Sequence, residues 1–262
     1  MRTAPIEALA DGIRSSTRPV AVLAGAGTSH SAGVATGEEL LRRIAAECGE
    51  DAGSDPVAWY VGRFGRFPDY FAMVQGGAGG GLSLPPRLFE GGGPTPAHRV
   101  LAEMAGWGMA GPFLTTNFDR LLERALAEAG VVVRAVYDIE GMAGAELETG
   151  LVVKLHGDYR DLAIRDSASA LHTYHPVVDA LLDRVLSAAP LLVCGWSASW
   201  DVPLGEALLR TAGRQPTYWL QCGEPTGRAL AIIAGRDALV ARVSGSDAGL
   251  RALRDSLTRR ER

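Results

Sequence analysis

The chain has 262 residues, 26 Lys and Arg against 30 Asp and Glu for a formal net charge of -4, and 47% hydrophobic residues. Those proportions describe one large globular domain or two small ones, exclude a disordered chain, and argue against wholesale binding of a phosphate backbone while leaving room for a local basic patch. Cys48, Cys194 and Cys222 form no C-x-x-C pair, which excludes a disulfide framework and a four-cysteine zinc site.

Lys154 is the only lysine, a skew that composition alone attributes to codon usage. No apolar run reaches the roughly 20 residues of a membrane helix. The first 19 residues mix acidic and basic side chains without an apolar stretch. We therefore expect no signal peptide, no membrane span and a cytoplasmic location.

In chain order, Pro19 to Ala24 reads as a buried strand followed by glycines, and Gly37 to Cys48 carries apolar residues at helical spacing. Residues 50–94 break the rhythm. The aromatics Trp59, Tyr60, Phe64, Phe67, Tyr70 and Phe71 predict a small helical insertion, and Gly76 to Gly81 and Gly91 to Gly93 predict connections or a lid. Phe113 to Thr116 is a strand leading into a helix over Phe118 to Ala129. Val131 to Tyr137 and Leu151 to Leu155 are further strands. Val177 to Ser187 is helical, Pro190 to Gly195 a strand, and Pro203 to Arg210 a helix. Thr217 to Gln221 and Ala238 to Val243 complete the strands, and an amphipathic helix follows from Asp247. Short apolar strands alternating with helices predict an α/β fold, a Rossmann-like, mostly parallel, doubly wound sheet, with residues 1–262 forming one domain.

Four segments lie at predicted strand ends. Gly25-Ala26-Gly27-Thr28-Ser29, with Gly33 beyond, suits close approach of the backbone to a pyrophosphate. Its G-x-G-x5-G spacing is not the dehydrogenase fingerprint, and no ribose-binding acid follows, so a structural turn and a phosphate cradle stand as equals. In Thr115-Thr116-Asn117-Phe118-Asp119, an amide and a carboxylate two apart suit a ribose or carboxamide, or else Thr116 or Asn117 caps a helix whose positive end Asp119 favours.

In Lys154-Leu155-His156-Gly157-Asp158 the histidine is either a general base or a satisfied structural residue. Gly195-Trp196-Ser197-Ala198-Ser199, with Asp201, supplies small hydroxyls suited to ribose or phosphate. A Ser-His-Asp hydrolase lacks its G-x-S-x-G elbow here, and the P-loop pattern is missing. His172, His175 and Asp179 have a spacing that metal sites use, but Pro176 interrupts the register and no cysteine is near, so no metal is expected.

Because these four segments occur in this order, the sequence resembles the sirtuin superfamily from about residue 18 to about 222, and more closely its NAD-hydrolase branch than its protein deacylases. The resemblance implies NAD+ as substrate rather than cofactor. Gly25, Ala26, Gly27, Thr28, Ser29 and Gly33 would surround the pyrophosphate and the nicotinamide-side ribose. Thr116, Asn117 and Asp119 would line the nicotinamide pocket, with Asn117 positioning ribose or water. His156 would be the catalytic base, and Gly195 and Ser197 would contact the adenosine half, with Asp201 nearby.

Two departures bear on the activity. Residues 157–193 contain no cysteine, so no zinc module is expected, and Val34-Ala35-Thr36-Gly37-Glu38 replaces the deacylase I-P-D-F-R. The expected activity is hydrolysis of NAD+ to nicotinamide and ADP-ribose or a cyclic isomer, in an antiviral defence effector controlled by homo-oligomerisation or by a regulatory protein in trans, with nucleic acid met only through a partner. The rivals are a non-catalytic sensor of NAD or ADP-ribose, and a protein ADP-ribosyltransferase or deacylase.

Overall fold

The computed structural model describes residues 1–65, 68, 90–158, 173–199 and 201–259. The elements run β1 (Arg2–Thr3), α1 (Ile6–Arg14), β2 (Val20–Ala24), α2 (Gly37–Glu47), α3 (Pro56–Phe64), α4 (Pro96–Gly106), β3 (Ala110–Thr115), α5 (Leu121–Glu128), β4 (Arg134–Val136), α6 (Ile139–Ala143), β5 (Leu151–Lys154), α7 (Pro176–Ala188), β6 (Leu191–Cys194), α8 (Val202–Arg210), β7 (Thr217–Cys222), α9 (Gly227–Gly235), β8 (Leu239–Val243) and α10 (Ser246–Thr258). Two single turns of 3₁₀ helix, Ala26–Thr28 and His30–Ala32, follow β2.

The strands form one sheet in the order β1-β8-β7-β6-β2-β3-β5-β4, with every described pairing parallel. The fold is therefore Rossmann-like α/β. Its two faces are separated residue by residue along β2. Ala21 and Leu23 enter a core beneath α7, α8 and α9, whereas Val20, Val22 and Ala24 enter a second core beneath α1, α4, α5 and α10. That alternation is the period-two consequence of the pleat, and burial on both faces explains why the strands read as continuous apolar runs.

β2 is flanked by β3 on one side and by β6 on the other. The chain winds outward from β2 in one direction and returns to wind in the other, which opens a crevice at the carboxyl ends of β2, β3 and β6.

The sequence expectations differ from the fold at several places. β3 begins at Ala110, because the irregular register between Val20 and Val22 accommodates Pro112, which has no N–H to donate. α5 starts three residues later than expected, and residues 116–120 instead form a loop. β1, α1, α4, α6 and α9 were not anticipated. Of the expected aromatic helix, Trp59, Tyr60 and Phe64 lie on or at the end of α3, with Trp59 edge-on to the other two rings and Tyr60 tilted at 45° to Phe64. Phe67, Tyr70, Phe71 and the glycines from 76 to 81 lie outside the described residues. Among the described residues, no helix is long and apolar enough to cross a membrane.

Candidate active site

Loops at the carboxyl ends of β2, β3, β5, β6, β7 and β8 enclose a cavity of about 700 Å³. It is lined by Ala26, Gly27, Thr116, Asn117, Asp119, His156, Gly195, Ser197 and Asp201 among others, so nine of the expected site residues meet there. Gly25, Thr28, Ser29 and Gly33 do not line it. Thr28 and Ser29 are buried.

The first glycine loop is built against the loop after β6. Gly25 N–H donates to the Cys194 carbonyl at 3.0 Å and Gly27 N–H to the Gly195 carbonyl at 2.9 Å. A Cβ on Gly25 would stand 2.5 Å from the Gly195 carbonyl oxygen, and one on Gly195, whose φ is +65°, would stand 2.6 Å from the Thr28 nitrogen. These glycines are needed for the two loops to interlock, whatever ligand they also meet. Gly33 has a different job. It ends the second 3₁₀ turn at φ +82° with open space around its Cα, which is a turn requirement and no close approach.

Asn117 neither caps α5 nor faces solvent. The N-cap of α5 is Arg120, without a side-chain bond, so capping by Thr116 or Asn117 is set aside; Asp119 Oδ1 instead accepts the Leu121 N–H at 3.0 Å. The loop is tied to β2 by the Thr115 hydroxyl donating to the Ala24 carbonyl at 2.9 Å, while Asn117 N–H donates back to that hydroxyl at 3.0 Å. The Asn117 amide nitrogen donates to the Gly25 carbonyl at 3.2 Å and to Ser29 Oγ at 3.0 Å. A carbonyl accepts only from a donor, which fixes the orientation of the amide. Its Oδ1 is then buried without a hydrogen-bond partner among the described residues. Ser199 Oγ, also in a residue lining the cavity, is in the same state.

Ser29 continues the network. Its hydroxyl donates to Asp119 Oδ2 at 2.7 Å, and its Oγ lies 3.4 Å from His98 Nε2. His98 Nδ1 accepts the Thr95 N–H at 3.1 Å, completing a capping box at the start of α4. Nδ1 is thus unprotonated in the neutral ring, and Nε2 carries the hydrogen toward Ser29. Burial pushes the His98 ring below the usual histidine range, against the upward pull of Asp119 and Asp247. Sequence reading missed His98. Its signal was the Thr95-Pro96-Ala97-His98 start of a helix, with histidine where a capping box ordinarily has Glu or Gln.

His156 stands across the cavity, its Nε2 2.7 Å from Asp201 Oδ2. The same carboxylate oxygen accepts the Tyr174 hydroxyl at 2.6 Å, and Oδ1 accepts the Leu204 N–H at 2.9 Å as the N-cap of α8. Burial works to raise the Asp201 carboxyl, but the neighbouring His156 and these hydrogen bonds outweigh it and hold the group below its ordinary value. Asp201 is therefore an ionised acceptor. It was expected beside the adenosine half, yet its carboxylate is committed to His156, because the helix that it caps begins just after the β6 loop. With Nε2–H donating to Asp201, Nδ1 of the neutral His156 ring is left as its basic nitrogen.

The donor set does not fit the zinc module of the deacylases. Four thiolates are required, and the chain has three cysteines. Of these Cys194 is buried in β6, its thiol pushed up to about 12. His172 lies outside the described residues, while His175 caps α7 and Asp179 pairs with Arg210. Among the described residues no group of three or more His, Cys, Asp or Glu side chains converges as metal ligands would.

The chain is thus a parallel Rossmann-like α/β domain whose switch-point crevice holds an interlocked glycine loop, a buried asparagine and a histidine–aspartate pair. The chain matches the family model described as SIR2-like domain over residues 112–234. It is 28% identical over 141 residues to the NAD(+) hydrolase ThsA of Bacillus cereus (strain MSX-D12), a match covering 53% of this chain and 28% of that protein. The matched part thus spans little more than a quarter of that curated relative's length. The fold is also that of solved Sir2 homologues. A mutant Sir2 homologue in complex with ADP-ribose aligns with a TM-score of 0.53 at 19% identity, covering 98% of this chain and 99% of that one. A Sir2 homologue in complex with NAD aligns at 0.52 and 18% identity, covering 98% and 97%.

Proposed function

We propose that the protein hydrolyses NAD+ at the nicotinamide–ribose bond, with the reacting carbon held between Asn117 and His156. The observation that carries this reading is the buried, unpartnered Oδ1 of Asn117, an acceptor whose desolvation is uncompensated until a ligand or water donates to it. Similarity to an NAD(+) hydrolase over about half of the chain supports the same reading.

In the reaction the C–N bond breaks with its electron pair leaving on nicotinamide, which departs as a neutral base. Positive charge develops on the ribose. Asn117 Oδ1 accepts a hydrogen bond from the attacking water or a ribose hydroxyl, and the water oxygen bonds to the exposed carbon. His156 Nδ1 takes the water's proton, and the ionised Asp201 stabilises the imidazolium that results. Residues 1–262 act as one unit, with the nucleotide running from the β2 loop toward the β7 and β8 loops.

In the cell the same reading makes the protein a cytoplasmic NAD-depleting effector of antiviral defence, held inactive by self-assembly or a partner. The defining test is purified protein incubated with NAD+ alongside Asn117→Ala and His156→Ala. Nicotinamide and ADP-ribose should appear with the unaltered protein and fall by about 100-fold or more in each variant. Binding of NAD+ without release of nicotinamide, in the presence of every trigger tried, would favour the sensor instead.

A further inference from the structure

The chain's one lysine stands where two site-bearing segments converge. Lys154 ends β5, two residues before His156, and its side chain is fully buried at 0% exposure. Its ammonium meets four oxygens: the Phe118 carbonyl at 3.1 Å, the Asp119 carbonyl at 2.5 Å, Glu123 Oε1 at 3.0 Å and Asp158 Oδ2 at 2.9 Å. The two carbonyls belong to the loop that carries Asn117. Glu123 is in the first turn of α5, and Asp158 follows His156 on the β5 loop.

We propose that Lys154 is a positioning residue whose ammonium fixes the placement of Asn117 relative to His156, by clamping the backbone of the Asn117 loop onto the strand that presents the histidine. Its effect on turnover rests on the NAD-hydrolase reading; the clamp itself does not.

Three observations favour a clamp over a filler of buried space. First, two of the four oxygens are main-chain carbonyls of the very loop that must be placed, so the ammonium acts on backbone position and not only on side chains. Second, a buried ammonium is costly unless its hydrogens are all used, and here more acceptors than hydrogens surround it. Third, every other residue of the Lys and Arg class in this chain is arginine. Codon bias explains the arginines but not the exception. Four oxygens converging on one atom suit a compact ammonium, whereas a planar guanidinium directs its hydrogens outward in a fork. Arginine does appear at the cluster's edge, where Arg120 Nε donates to Asp158 Oδ2 at 2.7 Å from a partly exposed position.

Lys154→Met alone would strand Glu123, whose Oε2 already lacks a partner and whose carboxyl burial raises above the usual range against the pull of Lys154. The informative variant is therefore Lys154→Met with Glu123→Gln, which removes the ammonium and the Glu123 charge together and leaves Asp158 paired with Arg120. It should melt cooperatively, turn over NAD+ with kcat reduced by about 100-fold and keep KM within about threefold. Amide hydrogen exchange in residues 116–120 and 155–158 should rise together, with the strands of the sheet unchanged. Lys154→Arg, which keeps the charge, should not restore kcat.

Wild-type kcat and wild-type exchange in the double variant would overturn the proposal, as would full activity of Lys154→Arg. If the unaltered protein consumes no NAD+, the hydrolase reading fails. The exchange of the two segments, read without substrate, still decides whether Lys154 clamps them. A uniform rise in exchange across the sheet would mean an ordinary stabilising role and would also overturn the proposal.

Discussion

Ser29 illustrates how a buried residue outside the cavity lining can organise this site. Fully buried, it receives the Asn117 amide, donates to Asp119 and sits beside His98, so its hydroxyl fixes the direction of every group around it. Motif order in the sequence pointed to Ser29, Asn117 and Asp119, but as ligand contacts. Their mutual hydrogen bonds depend on residues 88 and 90 positions apart meeting, which no local pattern specifies. His98 has a testable electrostatic consequence. Burial holds its ring below the ordinary histidine range, so from about pH 6.5 downward the unfolded chain binds a proton that the folded one refuses. Its contribution to stability is thus complete above that pH and is lost as the pH falls toward the depressed value. His98→Gln should flatten the decline in melting temperature between pH 7.5 and 5, and an identical decline in both proteins would contradict this assignment.

At the scale of elements, legibility followed length and burial. β2, β6 and β7 are buried apolar runs and were read to within a residue or two. α1 has Ile6, Leu9, Ala10 and Ile13 at helical spacing, so its signal is present in the sequence. α9 was harder, because Gly227 and Gly235 bound a short run that reads equally as loop, and only the Thr226 cap marks its start. The glycine loops separate two meanings that sequence leaves equal. Gly195→Ala combines a left-handed φ with a backbone clash and should cost at least about 2 kcal/mol while moving the β2 loop. Gly33→Ala faces open space and should cost about 1 kcal/mol. Denaturant melts of the two variants would check this order, and equal losses would refute the interlock.

For the molecule as a whole, the alternation of strands and helices sufficed for a doubly wound parallel sheet, but not for its order. β1 is two residues long, and its place beside β8 is set by pairing across the whole chain. The assembled cavity carries Glu38, Glu39, Asp119, Asp201, Glu224 and Asp247 but, among the described residues lining it, no lysine or arginine. A further phosphate on the adenosine ribose would meet these carboxylates, and Arg242, which bonds Glu224 from outside the lining, is already paired. NADP+ should therefore show a kcat/KM at least about tenfold below that of NAD+, and equal values would mean that the nucleotide lies elsewhere. The central claim is about where the reacting sugar sits, and a crystal structure with ADP-ribose tests it most directly. The account predicts the terminal ribose between Asn117 Oδ1 and the His156 ring, with the glycine loop over the pyrophosphate. A ribose bound away from both residues, with Asn117 Oδ1 still unpartnered, would contradict it.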